Sequence, residues 1–580
     1  MKTIYFFICF LFINANLIAQ LPLFQNNIRE DGKHFLDLNT LELDDGTNDF
    51  MVAGTMFDSS FSTKKLTLMR IDDVDGSVVW DKYYDNVNAS RGFDITRFND
   101  NGQEFIAVTG YVDSGAGSLK HIYIGIINAS TGAFAYGKRF AIGNDNSQGL
   151  HITYTERDFN GNQEKGFVVG GFLNSDYDTN IANSHEGFVM RVDLGLHPLW
   201  TRIINTTGNN NKDYDMVNNI TETDDGYFIT GSITQKNNGA QQGVLAMRLN
   251  NEGIIQWKNT FIIGNSRDVG VDSFYNAATD EIFLLTNYSV NHHFGMVVFN
   301  ENTGVINTTK SWEAASSILD RYGFKLEQSQ TNSNNLIVFG YEKEKYFLDP
   351  FGTPIVGETV PFVFEFEKNT GLPTGISYNY LVPFKNNINN TDYFRFWDWQ
   401  MPLIFYPDIT VKSQVAPHFF MVGYRSFTTA TTAIEQLKIG SDLLSECFFE
   451  ETEFNTYTSN FINQGIAEDV GNPTSYNLVF IAMDISEIVD LCESGSLGLI
   501  DSKIQKLKIY PNPSNGIVYL ENNSNNKIDS VIVYSINGSK VFELVQNNIQ
   551  SINLNHLTAG LYFIKTTSND NTFINKLIKN

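Results

Sequence analysis

The chain has 580 residues, 65 of them acidic against 40 basic, for a formal charge of −25. That length accommodates two or more domains with sizeable cores, and the acidity argues against nucleic acid or anionic lipid as a partner. Beyond the first twenty residues no apolar run is long enough to cross a bilayer as a helix, so no transmembrane segment is expected.

Lys2 precedes an apolar run from Ile4 to Ile13, and Ala19-Gln20 follows it. A basic start, a short apolar core and a small residue near position 19 predict a secretory signal peptide over residues 1–20.

Residues 21–493 read as a repeat. One copy runs Gly226-Tyr227-Phe228-Ile229-Thr230-Gly231, then Ala246-Met247-Arg248-Leu249-Asn250, then Gly253 and Trp257. Another runs Gly166-Phe167-Val168-Val169-Gly170, then Val189-Met190-Arg191-Val192-Asp193, then Trp200. The first runs Phe50-Met51-Val52-Ala53-Gly54, then Leu68-Met69-Arg70-Ile71-Asp72, then Trp80. Fainter copies centre on Gly110, Thr286, Gly340 and Gly423, at spacings of 56, 60, 61, 55, 54 and 83 residues.

Each unit supplies three or four short apolar or alternating strands divided by Gly, Asn and Asp turns. That period predicts an all-β chain with a β-propeller of about seven blades, six to eight being the bounds. The recurring glycine is expected at a close backbone approach. Trp80, Trp200, Trp257 and Trp312 are expected as core between blades. Leu36 to Leu43 is a candidate for the strand that closes the ring, and Tyr476 to Met483 reads as one further strand.

Chemistry is sparse. The chain has no His-Glu-x-x-His, no Gly-x-Ser-x-Gly and no phosphate-binding glycine loop. Asp158, Asn160, Asn162 and Glu164 place oxygens at alternate positions, as calcium requires, though the glycine is misplaced for an EF-hand and a plain turn explains the loop as well. No other cofactor is expected. Between Gly340 and Gly423 the repeat is interrupted, and Tyr393, Arg395, Trp397, Asp398 and Trp399 form a polar-aromatic cluster suited to stacking on sugar rings, or else to filling core. Cys447 and Cys492 are the pair that survives signal removal, and a disulfide between them is expected in an oxidising compartment.

A small-residue linker, 494–502, leads to a basic tail. From Ser502 onward there are eight lysines and four acids, a charge of +4, so the preceding residues carry −29. Residues 503–580 hold Tyr510-Pro511-Asn512-Pro513 with Gly516, a turn at Gly538, and Gly560-Leu561-Tyr562. Short strands between such turns describe a small antiparallel sandwich.

These landmarks, in this order at the C-terminus, resemble the type A C-terminal sorting domain of type IX secretion cargo in Bacteroidetes. The resemblance implies an Ig-like β-sandwich, recognition by the type IX machinery, and export to the exterior or cell surface by way of the periplasm. The body is similar to secreted β-propellers of that group with repeats near sixty residues, a family with no single activity. The expected function is non-catalytic binding of a glycan or protein outside the cell. The alternatives are a polysaccharide lyase or glycosidase on the same scaffold, and a structural adhesin.

Overall fold

A computed structural model describes residues 24–580 apart from a set of connecting segments, the longest being 174–185, 206–214, 381–408, 441–448 and 491–506. None of the described residues is helical. The expected signal peptide, 1–20, lies outside the described residues. The chain divides into two compact units, 1–382 with 387–494, and 383–386 with 495–580.

The first unit contains seven five-stranded antiparallel sheets among its described residues. Sheet one is built from Lys33–Glu42, Phe50–Asp58, Lys64–Ile71 and Val78–Asp85 in chain order. Sheets two to five begin with Ser90–Asp100, Ser147–Thr155, Met216–Thr223 and Asp268–Asn276, and each adds its next three long strands in the same meander. Sheet six is Leu319–Gln328, Asn335–Glu344, Thr359–Glu367 and Pro373–Tyr380. Sheet seven has Ile409–Val411, His418–Thr428 and Thr431–Gly440, and takes its fourth strand, Phe24–Ile28, from the N-terminal end of the chain. The fifth strand of every sheet comes from residues 449–490.

Two sequence expectations are corrected here. Leu36 to Leu43 does not join the last sheet: it lies in and just beyond the first strand of sheet one, hairpin-paired to Phe50–Asp58. Closing the short loop 43–49 costs far less entropy than reaching a partner near residue 435, so the local pairing wins. Tyr476 to Met483 is not one strand either. Thr474–Asn477 pairs with sheet two and Ile481–Met483 with sheet one.

A bulge interrupts the first strand of each of sheets one to six, and the recurring glycine faces it. A Cβ on Gly110 would sit 1.9 Å from the Arg91 carbonyl oxygen, and one on Gly231 2.0 Å from that of Met216. No side chain fits there, which is why the repeat keeps glycine. In sheet five the second strand has Thr286, and Gly270 stands opposite it.

Adjacent sheets pack face to face. Leu66 and Tyr84 of sheet one share a core with Ile106 and Tyr123 of sheet two. Similar cores join sheets two and three, three and four, four and five, and five and six. Phe339 of sheet six lies 5.2 Å from Phe419 of sheet seven, and Phe420 of sheet seven stacks on Phe50 of sheet one at 4.1 Å.

Aromatic side chains of the fourth strands fasten these interfaces. The Trp80, Trp200 and Trp257 indoles donate to the carbonyls of Ala129, Asn251 and Glu301, in the turn between third and fourth strands of the next sheet. Tyr136 holds the same register in sheet two and donates to Leu194 O at 3.0 Å. Trp312 reaches the corresponding turn at Gly371 O from a different position, since Thr308 occupies the register of the other tryptophans. Spacing alone does not separate those two positions.

The second unit has a three-stranded sheet, Leu507–Tyr510, Ile517–Asn522 and Ser551–Asn553, and a four-stranded one, Ser530–Ser535, Lys540–Val545, Gly560–Ser568 and Asn571–Lys579. Val518, Leu520 and Ile552 of the first meet Val531, Val533, Ile564 and Leu577 of the second in one core, a small antiparallel sandwich.

Candidate functional site

The first strands of sheets one to six converge on a cavity of about 540 Å³. The bulge sets what faces it. One residue per strand occupies the same register, immediately after the bulge: Asn39, Asp94, His151, Asn219, Asp272 and Lys325. All six are polar and all line the cavity. A bulge re-aims its strand locally, so six repeated bulges bring six equivalent side chains to one level.

Four of them bind across the sheets. Asp94 Oδ2 accepts from the Ile152 amide at 2.8 Å and lies 2.8 Å from His151 Nδ1. His151 Nε2 lies 3.1 Å from Ile220 O in sheet four. Asn219 Nδ2 donates to Asp272 Oδ1 at 2.8 Å, and Asp272 Oδ2 accepts from the Leu326 amide of sheet six at 2.8 Å. Thr221 and Ser273 hydroxyls add a 2.6 Å contact between sheets four and five. Sheet one joins through Asp37, whose carboxylate takes Arg91 Nε at 2.8 Å and Nη2 at 2.5 Å, with both side chains buried. Asp37 adopts φ +57°, a conformation that aspartate tolerates better than most residues. These buried polar groups are satisfied by one another and by backbone, as burial demands.

Beyond the ring stand Arg97, Glu222 and Glu327. Glu222 accepts from Thr155 Oγ1 at 2.7 Å and from Arg157 Nε at 3.0 Å. Arg97 Nη1 donates to the backbone oxygen of Glu42 at 2.6 Å. The Glu42 carboxyl is pushed up to about 8, first by burial, with Asp73 and Asp44 adding to the shift and Arg97 and Lys438 opposing it.

Glu42 therefore holds its proton more tightly folded than unfolded, where its pKa is near 4.5. Between those values the folded state binds more protons, so stability falls as pH rises from about 5 to about 8. Thermal midpoints across that window are expected to decline, and Glu42→Gln is expected to flatten the slope. An unchanged slope in the variant would remove Glu42 as its source.

The sequence-predicted loop folds as a hairpin, Asp158–Phe159 with Asn162–Gln163, turning through left-handed Asn160 and Gly161. Its backbone caps the buried Arg191 guanidinium: the carbonyls of Arg157, Asp158 and Glu164 accept from it at 2.5, 3.2 and 2.9 Å. Among the described residues no three His, Cys, Asp or Glu side chains are grouped to hold a metal. Tyr393, Arg395, Trp397, Asp398 and Trp399 lie outside the described residues, in the connection between Tyr380 and Ile409. Cys447 and Cys492 also lie outside them.

The polar ring went unread in the sequence, although a signal exists. Gly92-Phe93-Asp94, Gly149-Leu150-His151, Gly270-Val271-Asp272 and Gly323-Phe324-Lys325 share a Gly-x-polar pattern in their first strands.

In the second unit, Tyr510 pairs across strands with Tyr519, the rings stacked at 5.6 Å. Gly516 has φ +143°, and its carbonyl accepts from the Leu554 amide at 2.6 Å. The Tyr562 hydroxyl returns to Thr558 O at 2.9 Å, and Gly560 begins the strand beside it. Asn512 Oδ1 accepts from the Ile578 amide at 2.9 Å, tying the entry segment to the last strand. Pro513 and Gly538 lie outside the described residues.

Residues 508–580 match the family model of the secretion system C-terminal sorting domain. The chain is a type IX secretion cargo, sent to the cell surface or the extracellular space. No curated protein matches. Among solved structures, the extracellular domain of a hybrid two-component system of B. thetaiotaomicron is 8% identical with a TM-score of 0.18, over 96% of this chain and all of that one. The BSP domain of a biofilm-associated protein is 9% identical with a TM-score of 0.11, over 95% of this chain and 96% of its own. Likenesses at these scores leave the fold to the strand pairing above.

Among the described residues no helix is long and apolar enough to cross a membrane.

Proposed function

We propose that the seven sheets close into a seven-bladed β-propeller that binds a glycan or protein outside the cell without transforming it. The unbroken series of face-to-face contacts, including Phe339–Phe419 and Phe50–Phe420, supports closure. One observation carries the choice of binding over catalysis. Five acid–base groups facing the cavity, Asp37, Asp94, His151, Glu222 and Asp272, are committed to inter-sheet bonds, and both Asp272 oxygens and both His151 nitrogens have partners. A general acid or base there would have to leave a bond that holds two sheets together.

The connections support a binding face. Third and fourth strands are joined by tight turns such as 194–197 and 251–254. The opposite strand ends are joined by longer segments, among them 174–185, 345–358 and 381–408. Repeat proteins commonly bind through such one-sided departures. The aromatic cluster in 381–408 supplies stacking groups, with Arg395 and Asp398 for polar contacts.

The secreted protein, immobilised on a glycan array and challenged separately with extracellular proteins, is expected to retain a ligand that Trp397→Ala and Trp399→Ala weaken. Retention untouched by both changes would overturn the role of the cluster. Release of shortened or unsaturated sugars from a retained polysaccharide would overturn the non-catalytic assignment.

A further inference from the structure

The stretch 449–490 gives one short strand to each of the seven sheets, passing from sheet six down to sheet one and ending on sheet seven. Phe449–Glu451 lies on sheet six, Phe454–Tyr457 on five, Ile462–Asn463 on four and Ala467–Val470 on three. Thr474–Asn477 follows on sheet two, Ile481–Met483 on one and Ile488–Asp490 on seven.

The register is the same each time. Phe449 faces Tyr380, Phe454 faces Ala314, and Ile462 faces Ile262. Ala467 faces Asn205, Thr474 faces Ala141, Ile481 faces Asp85, and Ile488 faces Ile28. In all seven cases the partner is the last residue of the fourth strand. The segment therefore runs level along one end of the sheets, advancing one sheet every five to eight residues.

We infer that residues 449–490 form a girdle that covers the outer edges of all seven sheets and latches the N-terminal strand into sheet seven. Each fourth strand would otherwise be an edge, with unpaired backbone groups open to another chain. A strand of two to four residues holds little by itself. Seven in series, each docked strand raising the local concentration of the next, attach as a unit.

The latch follows from the last contact. Phe24–Ile28 is remote in sequence from the rest of sheet seven and joins it through its backbone ladders and through Ile28, which is buried with Phe420 and Val422. Thr431–Gly440 pairs with one side of it and Ile488–Asp490 with the other. The girdle completes its docking only on a sheet that already contains the N-terminal strand, so the two ends of the body secure each other. The expected Cys447–Cys492 bridge would bracket the girdle, two residues before its first strand and two after its last.

Hydrogen exchange on the full secreted protein tests this without any variant. Peptides from 449–490 are expected to exchange as slowly as the fourth strands they pair with; exchange at the rate of an unstructured chain would overturn the girdle. The latch has its own test. The double change Ile488→Pro, Val489→Pro removes a partner-facing N–H, since successive residues point opposite ways. Exchange over Phe24–Ile28 should quicken at least tenfold, with first strands of sheets two to five unaffected. Unchanged protection there would overturn the latch.

Discussion

A chain lacking residues 503–580 is expected to cross the inner membrane and accumulate in the periplasm, with secreted protein reduced to background. The sorting unit carries its own core of Val518, Val531, Val533, Ile564 and Leu577. Its removal therefore takes no residue from the cores between the seven sheets, and the stranded body should show an unaltered thermal transition. Both readouts matter: lost export with a folded body isolates the address from the cargo. Normal secretion of the truncated chain would overturn the sorting role. A single substitution should approach the same result. A Cβ at Gly516 would fall 1.6 Å from Asn555 Oδ1, at φ +143° where side chains are rarely tolerated. Gly516→Ala is expected to loosen the sorting unit and lower export while sparing the body.

Asp37→Asn is expected to be the most damaging conservative change in the body. Asp37 and Arg91 side chains are 1% and 3% exposed, and their two bonds join sheets one and two beside the cavity. The Arg91 guanidinium also lies 5.4 and 4.9 Å from the rings of Phe57 and Phe93. Asparagine keeps the shape and accepts the left-handed backbone, so the change isolates charge. Breaking such a pair leaves a buried cation uncompensated, at about 3–5 kcal/mol. The body's thermal midpoint should drop by several degrees. Replacing both partners, Asp37→Asn with Arg91→Met, should recover much of the loss because no buried charge remains. Equal destabilisation in the single and double variants would show that packing, not charge, sets the effect.

Much of this architecture was legible in the chain. The Gly54, Gly110, Gly231 and Gly340 spacing reported the strand repeat because a bulge opposite each glycine leaves no room for a Cβ. Trp80, Trp200 and Trp257 marked contacts between neighbouring sheets, since their turns recur with them. Trp312 is core between sheets five and six as its repeat suggested, though from a register shifted by four residues, with its indole still reaching the next turn.

The polar ring was harder to see. Asn39, Asp94, His151, Asn219, Asp272 and Lys325 differ in chemistry and share only a register. That register exists once each first strand is bulged and the strands face one cavity. The girdle was harder still, because strands of two to four residues have no measurable periodicity.

An all-β chain, a repeating body and a C-terminal export address can each be read directly from the residues. Those properties reside in local patterns of a few residues, readable wherever they occur. Which strand completes sheet seven, which polar groups meet around the cavity, and how 449–490 returns along the sheets are visible only once the chain is folded. Pairings of that kind join residues well separated in the chain, 53 positions apart at Asn219 and Asp272 and from one end of the body to the other at Phe24 and Lys438. Their register is set by which backbone edges remain unpaired after the local hairpins have formed.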